Sequence, residues 1–310
     1  MNHISLRMLR TFVTVAEKGT VAAAAEKLAR SSGSVSTTIS EFEELVGVQL
    51  FVRKPAKGLS LTAAGEVIAL EARGLLLHAD EFETIAGALG SAIEGDLAVG
   101  CFINLAPVVF ASLVAQFSAT YPGIRLQIVL GDQEEILQSL KNGRIETALT
   151  FDLALSDQFQ AARMVELPPY VLLPSFHPLA KRATIDLAAL ASEPLVLMDL
   201  PHTREYFLSI FHALGIEPNI KFRSSSYEAV RTMVGNGLGY SVLTLKPMIS
   251  MTYDGTEVVN VPLEDRTRTL NIVLLTLKKI ARRRIVLTFQ DFVRGYLKNW
   301  HADQSRMKLI

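Results

Sequence analysis

The chain has 310 residues, 49% hydrophobic, 7% aromatic and 20% charged, which suits about two well-filled domains and excludes a disordered chain. Lysine plus arginine number 31 and aspartate plus glutamate 31, so bulk charge says nothing about nucleic acid and any such site must be local. The single cysteine, Cys101, excludes an internal disulfide, and six scattered histidines without thiol or acidic partners at ligand spacing argue against a metal.

The first ten residues carry two arginines in an amphipathic pattern and no apolar signal core, which predicts a cytoplasmic protein. Leu6, Leu9, Val13 and Ala16, with Phe12 beside them, form the buried stripe of a first helix. Gly19 stops it, and Thr20 caps a second helix, Val21–Ala29. Ser31–Ser34 break the pattern before a third helix that buries Val35, Ile39, Phe42 and Val46 and ends at Gly47. Two short helices joined by a tight turn match a helix-turn-helix whose second helix enters the major groove. Leu50–Arg53, the turn from Lys54 to Gly58 and Leu59–Leu61 make a hairpin with three cations, suited to phosphate as a wing.

The run Leu9-x-x-Phe12-x-x-Val15-Ala16-Glu17-x-Gly19-Thr20, with Ala24-Ala25-x-x-Leu28, resembles the N-terminal domain of LysR-type transcriptional regulators. So do Val35-Ser36-x-x-Ile39-x-x-Phe42-Glu43, Gly47-Val48-x-Leu50-Phe51-x-Arg53 and Leu61-Thr62-x-x-Gly65. The resemblance implies that Ser32, Ser34, Ser36 and Thr37 face the groove, with Arg53, Lys54 and Lys57 on phosphates. The chain departs from the family in having Ser32 in place of a turn glutamine, and Thr37 and Ala23 in place of common arginines. Glu41 and Glu44 add negative charge; over residues 1–61, eight bases against five acids leave a net charge of +3. Short hydroxyls lack bidentate base contacts, so specificity is expected to lean on DNA shape, the wing and multiple half-sites.

Thr62 can cap a proline-free helix to about Leu89. Ile68, Ala72, Leu75, Ala79, Phe82, Ala86 and Leu89 alternate at steps of four and three, an apolar seam that predicts a homodimer through this helix. The resemblance implies the same and adds tetramers as a common state. Gly90, Ser91 and Gly95 mark a hinge.

The uncharged run Leu97–Ile124 exceeds the roughly 20 residues that span a bilayer. Gly100, Asn104, Pro107 and Gln116 inside it favour a buried strand, Leu97–Gly100, and a buried helix, Leu105–Phe117, over a membrane span. Beyond it, strands at 124–130, 145–151, 170–173, 195–198, 220–223 and 240–243 alternate with helices at 134–142, 204–214 and 227–235. This alternation argues for parallel sheet with helices on both faces. Strand Thr269–Leu277 and helix Ile280–Leu297 are expected to return to the first lobe.

The plan is α/β: an α-rich winged helix-turn-helix (1–61), a linker and dimerisation helix (62–90), and a two-lobed effector domain (91–310) that resembles the periplasmic-binding-protein fold. Lobe one is expected over 91–163 and 267–298, and lobe two over 164–266. The cleft faces strand C-termini and helix N-termini, where anions are favoured. Phe102, Asn104, Gln133, Phe151, His202, Thr203 and Ser224 are the candidates to line it. The amides, hydroxyls and helix starts suit a small carboxylate, and the phenylalanines an apolar part; Asp132 and Asp199 would repel an anion.

No catalytic motif is present: Gly235-x-Gly237-x-Gly239 follows a helix and precedes a strand, and there is no Gly-x-Ser-x-Gly, His-Glu-x-x-His or Gly-Lys-Ser. Cys101, without a histidine partner in sequence, reads as a small core residue rather than a reactive thiol. The expectation is a regulator, not an enzyme, that binds promoter DNA and itself and answers a small-molecule effector. No metal, other cofactor or membrane is expected, and RNA polymerase stands as a candidate partner. The alternative is a cytoplasmic small-molecule receptor with weakened or lost DNA binding.

Overall fold

The computed structural model describes residues 4–54, 58–87, 93–265, 267–280 and 282–306, without the side chains of residues 53, 54, 81, 83–87 and 303–306. The chain divides into two compact units, Met1–Gly95 with Lys141–Arg144 and Ile280–Arg284, and the remainder.

The first unit runs α1 (Leu6–Lys18), α2 (Val21–Lys27), α3 (Ser32–Val46), β1 (Phe51–Lys54), β2 (Gly58–Leu61) and α4 (Ala63–Gly87). Each of the first three helices begins on a hydroxyl that accepts a backbone N–H: Ser5 from Met8, Thr20 from Ala23 and Ser31 from Ser34. Ser31 therefore starts α3 earlier than expected, and Ser32 and Ser34 lie in its first turn instead of in a break. Phe12 sits at the centre of the core, its ring 5.3 Å from both Phe42 and Phe51. β1 and β2 pair antiparallel from Phe51–Leu61 to Lys54–Gly58, and the N–H of Leu59 donates to the Gly19 carbonyl at 2.7 Å. Gly65 explains its place in the motif, because a Cβ there would lie 2.1 Å from the Leu50 carbonyl oxygen. Thr62 caps α4 by accepting from the N–H of Gly65.

The second unit runs β3 (Gly95–Phe102), α5 (Ala111–Thr120), β4 (Ile124–Gly131), α6 (Gln133–Lys141), β5 (Thr147–Phe151) and β6 (Phe159–Leu167). It continues through β7 (Tyr170–Pro174), β8 (Leu195–Met198), α7 (Thr203–Ala213), β9 (Ile220–Ser224), α8 (Tyr227–Gly235) and β10 (Ser241–Leu243). It closes with β11 (Val258–Pro262), β12 (Leu270–Leu277) and α9 (Arg284–Arg306). The first lobe holds a five-stranded sheet in the order β4-β3-β5-β12-β6. β3 and β5 are parallel, but β12 runs antiparallel to β5 and β6, so the sheet is mixed and not the parallel one expected. The second lobe has an antiparallel sheet, β10-β7-β11, and a parallel pair, β8-β9. A bridge from Leu195 to Tyr240 joins the two.

Sequence reading missed β6 and β11. Gln160, Arg163 and Glu166 interrupt β6 at every third position, and this edge strand buries only Phe159, Val165 and Leu167, so neither strict alternation nor a continuous apolar run advertises it. β6 keeps the chain in the first lobe to Leu167, past the expected limit of 163, and the crossing falls at Pro168–Pro169.

The helix expected at Leu105–Phe117 is not one continuous α-helix. A 3-10 turn at Ile103–Leu105 and a π-helical turn at Ala106–Phe110, with Pro107 in its first turn, precede α5. Leu105, Val109, Phe110, Leu113 and Phe117 are buried, and the Phe117 ring lies 5.0 Å and 5.3 Å from Phe289 and Phe292 of α9. Ile103–Thr120 is apolar enough to cross a membrane by composition, and in the fold those five side chains pack into the first lobe while Ile103, at 46% exposure, and most of the rest reach its surface. The Gly235–Gly239 run makes the turn from α8 into β10, and a Cβ on Gly239 (φ 146°) would lie 2.1 Å from the Pro194 carbonyl oxygen.

Candidate functional site

The exposed face of α3 carries Ser32, Ser36 and Thr37, and also Ser40, Glu41 and Glu44. Ser40 was missed by sequence reading, although its position four residues after Ser36 puts it on the same helical face. Ser34 is exposed too, but its hydroxyl accepts from Arg30 Nη2 at 2.5 Å, and the same guanidinium reaches Thr38 at 3.2 Å and Thr11 at 3.1 Å. Arg30 thus clamps the turn to α1 and α3. Glu43 accepts from the N–H groups of Leu50 at 2.7 Å and Phe51 at 3.1 Å, which fixes where the hairpin leaves α3. Arg53 and Lys54 lie at the end of β1; their side chains, and Lys57 entirely, fall outside the described residues.

The expected seam on α4 divides. Ala72 is buried and Ile68 half-buried against the helix-turn-helix core, so these two positions serve that core. Leu75 and Phe82 are 57% and 72% exposed, and Val67 joins them in solvent. Ala79 is half-buried; the Ala86 side chain and Leu89 lie outside the described residues.

In the second unit the cleft candidates form two groups, one per lobe. In the first lobe Phe102 and Phe151 are buried and stack edge-to-face at 5.0 Å. Gln133 is fully buried: its Nε2 donates to the carbonyls of Phe151 at 3.1 Å and Leu153 at 2.8 Å, and its Oε1 accepts from Thr150 at 2.5 Å. That amide is consumed by the protein, contrary to its expected role as a ligand contact. Asn104 is half-buried in the turn after β3. Cys101 is buried, and burial pushes its thiol well above the ordinary range, which leaves it a core residue.

In the second lobe His202 stands before α7 with a left-handed backbone (φ 62°), and Thr203 begins the helix. Thr203 is 4% exposed, and its Oγ1 is buried without a hydrogen-bond partner. Asp199 pairs with Arg204 at 2.7 Å and lies 3.6 Å from Arg223, so its charge is offset and does not act as the expected repulsion. Hydrogen bonds and opposite charge from Glu205, and then from Asp199, raise the Arg204 guanidinium above its ordinary value. Ser224 ends β9 and accepts from the N–H of Ser226 at 3.2 Å. Ser226 in turn caps α8.

Comparison with known proteins places both units. Residues 6–66 match the family model of the bacterial regulatory helix-turn-helix protein, lysR family, and residues 90–298 match the LysR substrate binding domain. The RuBisCO operon transcriptional regulator of Allochromatium vinosum is 31% identical over 247 residues, 78% of this chain and 80% of that protein. Among solved structures, HinK, a LysR family regulator from Pseudomonas aeruginosa, is 38% identical with a TM-score of 0.64 and covers 95% of this chain and 99% of its own. Full-length OxyR from the same organism is 25% identical with a TM-score of 0.79, covering 95% and 96%. The chain belongs to the LysR family of transcriptional regulators, with a DNA-binding helix-turn-helix joined to an effector-binding domain.

Proposed function

We propose that this regulator binds a two-half-site operator as a homodimer, or a tetramer built from dimers, held through α4 by Leu75, Ala79 and Phe82 with Val67 beside them. Ser32, Ser36 and Thr37, with Ser40, face the major groove, and Arg53, Lys54 and Lys57 meet phosphates. The exposed face of α3 offers hydroxyls and two carboxylates but no arginine, which favours recognition through DNA shape over bidentate base reading.

The effector is a small carboxylate held at the start of α7. The observation that carries this reading is the buried, unpartnered hydroxyl of Thr203 at a helix N-terminus, where backbone N–H groups favour an anion. The left-handed backbone of His202 supports it, since such strain gathers at ligand sites. Asn104 and Ser224 complete the polar lining, and Phe102 and Phe151 back the apolar part. Binding draws the lobes together and changes how the dimer bends DNA, without catalysis, in the cytoplasm, and RNA polymerase is the partner that reads the change. The test is a thermal-shift titration of the full chain against aliphatic and aromatic carboxylates. A stabilising carboxylate whose effect Thr203→Val abolishes supports the site, and one that stabilises the variant equally refutes it.

A further inference from the structure

A cavity of about 580 Å³ lies beside the Pro168 crossing between the lobes of the effector domain. Its volume falls within the roughly 300–1,000 Å³ typical of small-molecule sites. Leu167 at the end of β6 and Trp300 on α9 line it from the first lobe, and Met248, Ile249 and Val259 from the second, so both lobes contribute. None of the residues around it belongs to the cleft group at Thr203.

The wall carrying Met248 and Ile249 is held rigidly from behind. Arg231, buried and paired with Glu228 at 2.8 Å, donates to the carbonyls of Ile249 at 3.0 Å, Ser250 at 3.3 Å and Met251 at 3.1 Å. Glu228 also accepts from the N–H of Tyr253 at 2.8 Å. At the other end, the hydroxyls of Tyr170 and Tyr227 both donate to the Leu245 carbonyl. Buried polar groups thus fix a segment whose apolar side chains stand in water: Met248 is 50% exposed and Ile249 65%. A preformed apolar wall of this kind saves the ordering cost of binding.

The charges around the cavity oppose one another. Glu166 and Glu257 contribute carboxylates, and Lys246 and His301 contribute basic groups. Glu166 accepts from Thr269 at 2.7 Å, and the Lys246 ammonium lies 4.7 Å from the centre of the Tyr170 ring. Such a lining gives no preference to a net anion and suits a ligand without net charge.

We propose that this cavity is a second ligand site for an uncharged aromatic molecule carrying hydrogen-bonding groups, seated between Trp300 and the Met248–Ile249 wall. Because both lobes line it, its occupant favours one arrangement of the lobes and modulates the response from outside the cleft.

Trp300 is the chain's one tryptophan, so its emission reports on the cavity. The full-length protein is titrated with N-phenyl-1-naphthylamine while Trp300 is excited. The expected result is saturable binding of one probe per chain, with Trp300 quenched and probe emission sensitised. Ile249→Asp and Met248→Asp, both at exposed positions, each weaken it at least tenfold at unchanged melting temperature, and Thr203→Val leaves it unchanged. The sulfonated analogue 8-anilinonaphthalene-1-sulfonate binds at least tenfold more weakly. Absence of saturable energy transfer, indifference to both aspartate variants, loss of binding in Thr203→Val, or equal affinity for the sulfonate overturns the proposal.

Discussion

The Tyr206 hydroxyl on α7 donates to the Arg268 carbonyl at 2.7 Å, tying the helix that begins at Thr203 to the crossover segment that leads into β12. Burial pushes that hydroxyl well above the ordinary tyrosine range, so it remains a protonated donor through neutral pH. Tyr206→Phe keeps the edge-to-face contact with Phe207 at 5.1 Å and removes only the hydrogen bond. It is expected to cost about 0.5–1.5 kcal/mol in urea denaturation. It is also expected to blunt the effector-dependent change in the DNA footprint while effector affinity stays within about threefold. A footprint change of full size in the variant refutes this coupling.

Thr203→Val is nearly isosteric and removes a buried hydroxyl that has no partner. The ligand-free protein should be as stable as wild type or up to about 2 kcal/mol more stable, while effector affinity falls about 10- to 100-fold. Calorimetric unfolding of both proteins with and without effector checks both halves. Destabilisation of the ligand-free variant by more than about 1 kcal/mol means that the hydroxyl already has a partner.

Glu43→Ala leaves the N–H groups of Leu50 and Phe51 without their acceptor. The expected loss is about 2–3 kcal/mol of helix-turn-helix stability, since hydrogen bonds to charged groups are worth about 1.5–3 kcal/mol. DNA affinity should fall with it, because the wing loses its anchor. Hydrogen exchange at Leu50 and Phe51 is the local readout.

Leu75→Glu places a charge on the exposed stripe of α4 that also carries Phe82. Sedimentation should show monomers at concentrations where wild type is dimeric, with little change in melting of the helix-turn-helix. Ala72→Glu should behave differently and unfold that unit, because Ala72 is inside its core. A Leu75→Glu protein that remains dimeric removes α4 from the interface.

Burial raises Tyr227 to about 12 and Tyr170 well above its usual value. Both shifts favour the neutral hydroxyl in the folded state, so their contribution is complete below pH 10, the unfolded value, and is lost as pH rises beyond it. Stability should fall above pH 10 by about 1.4 kcal/mol per pH unit for each tyrosine, and Tyr227→Phe should remove one share of that slope. Urea midpoints from pH 9 to 11.5 test it, and a flat profile contradicts the burial of these hydroxyls.

Local chemistry made much of the first unit legible. The glycine stops, hydroxyl caps and 3.6-residue stripe of Leu9, Val13, Val35, Ile39 and Phe42 each have one physical meaning, and the helices follow them. What escaped depended on distant partners. The seam through Ile68 and Ala72 is apolar whether it meets a second chain or its own core, and periodicity alone does not choose. Gln133 reads as a polar residue at a helix start, and only the fold brings the carbonyls of Phe151 and Leu153 to its amide. β6 hid because polar residues at every third position break its apolar pattern, and the antiparallel return of β12 depends on pairing between segments far apart in sequence. Thr203 was legible as a helix-start hydroxyl, but its lack of a partner was not.

The most direct test of the central claim is selection of duplexes bound by the full-length protein from a random pool, followed by a salt titration of the winner. The account predicts an enriched two-half-site motif, affinity at least about 1,000-fold above random duplex, and a logarithmic salt slope of several units from released counterions. No enriched motif, or a selected duplex bound no better than a random one, contradicts it.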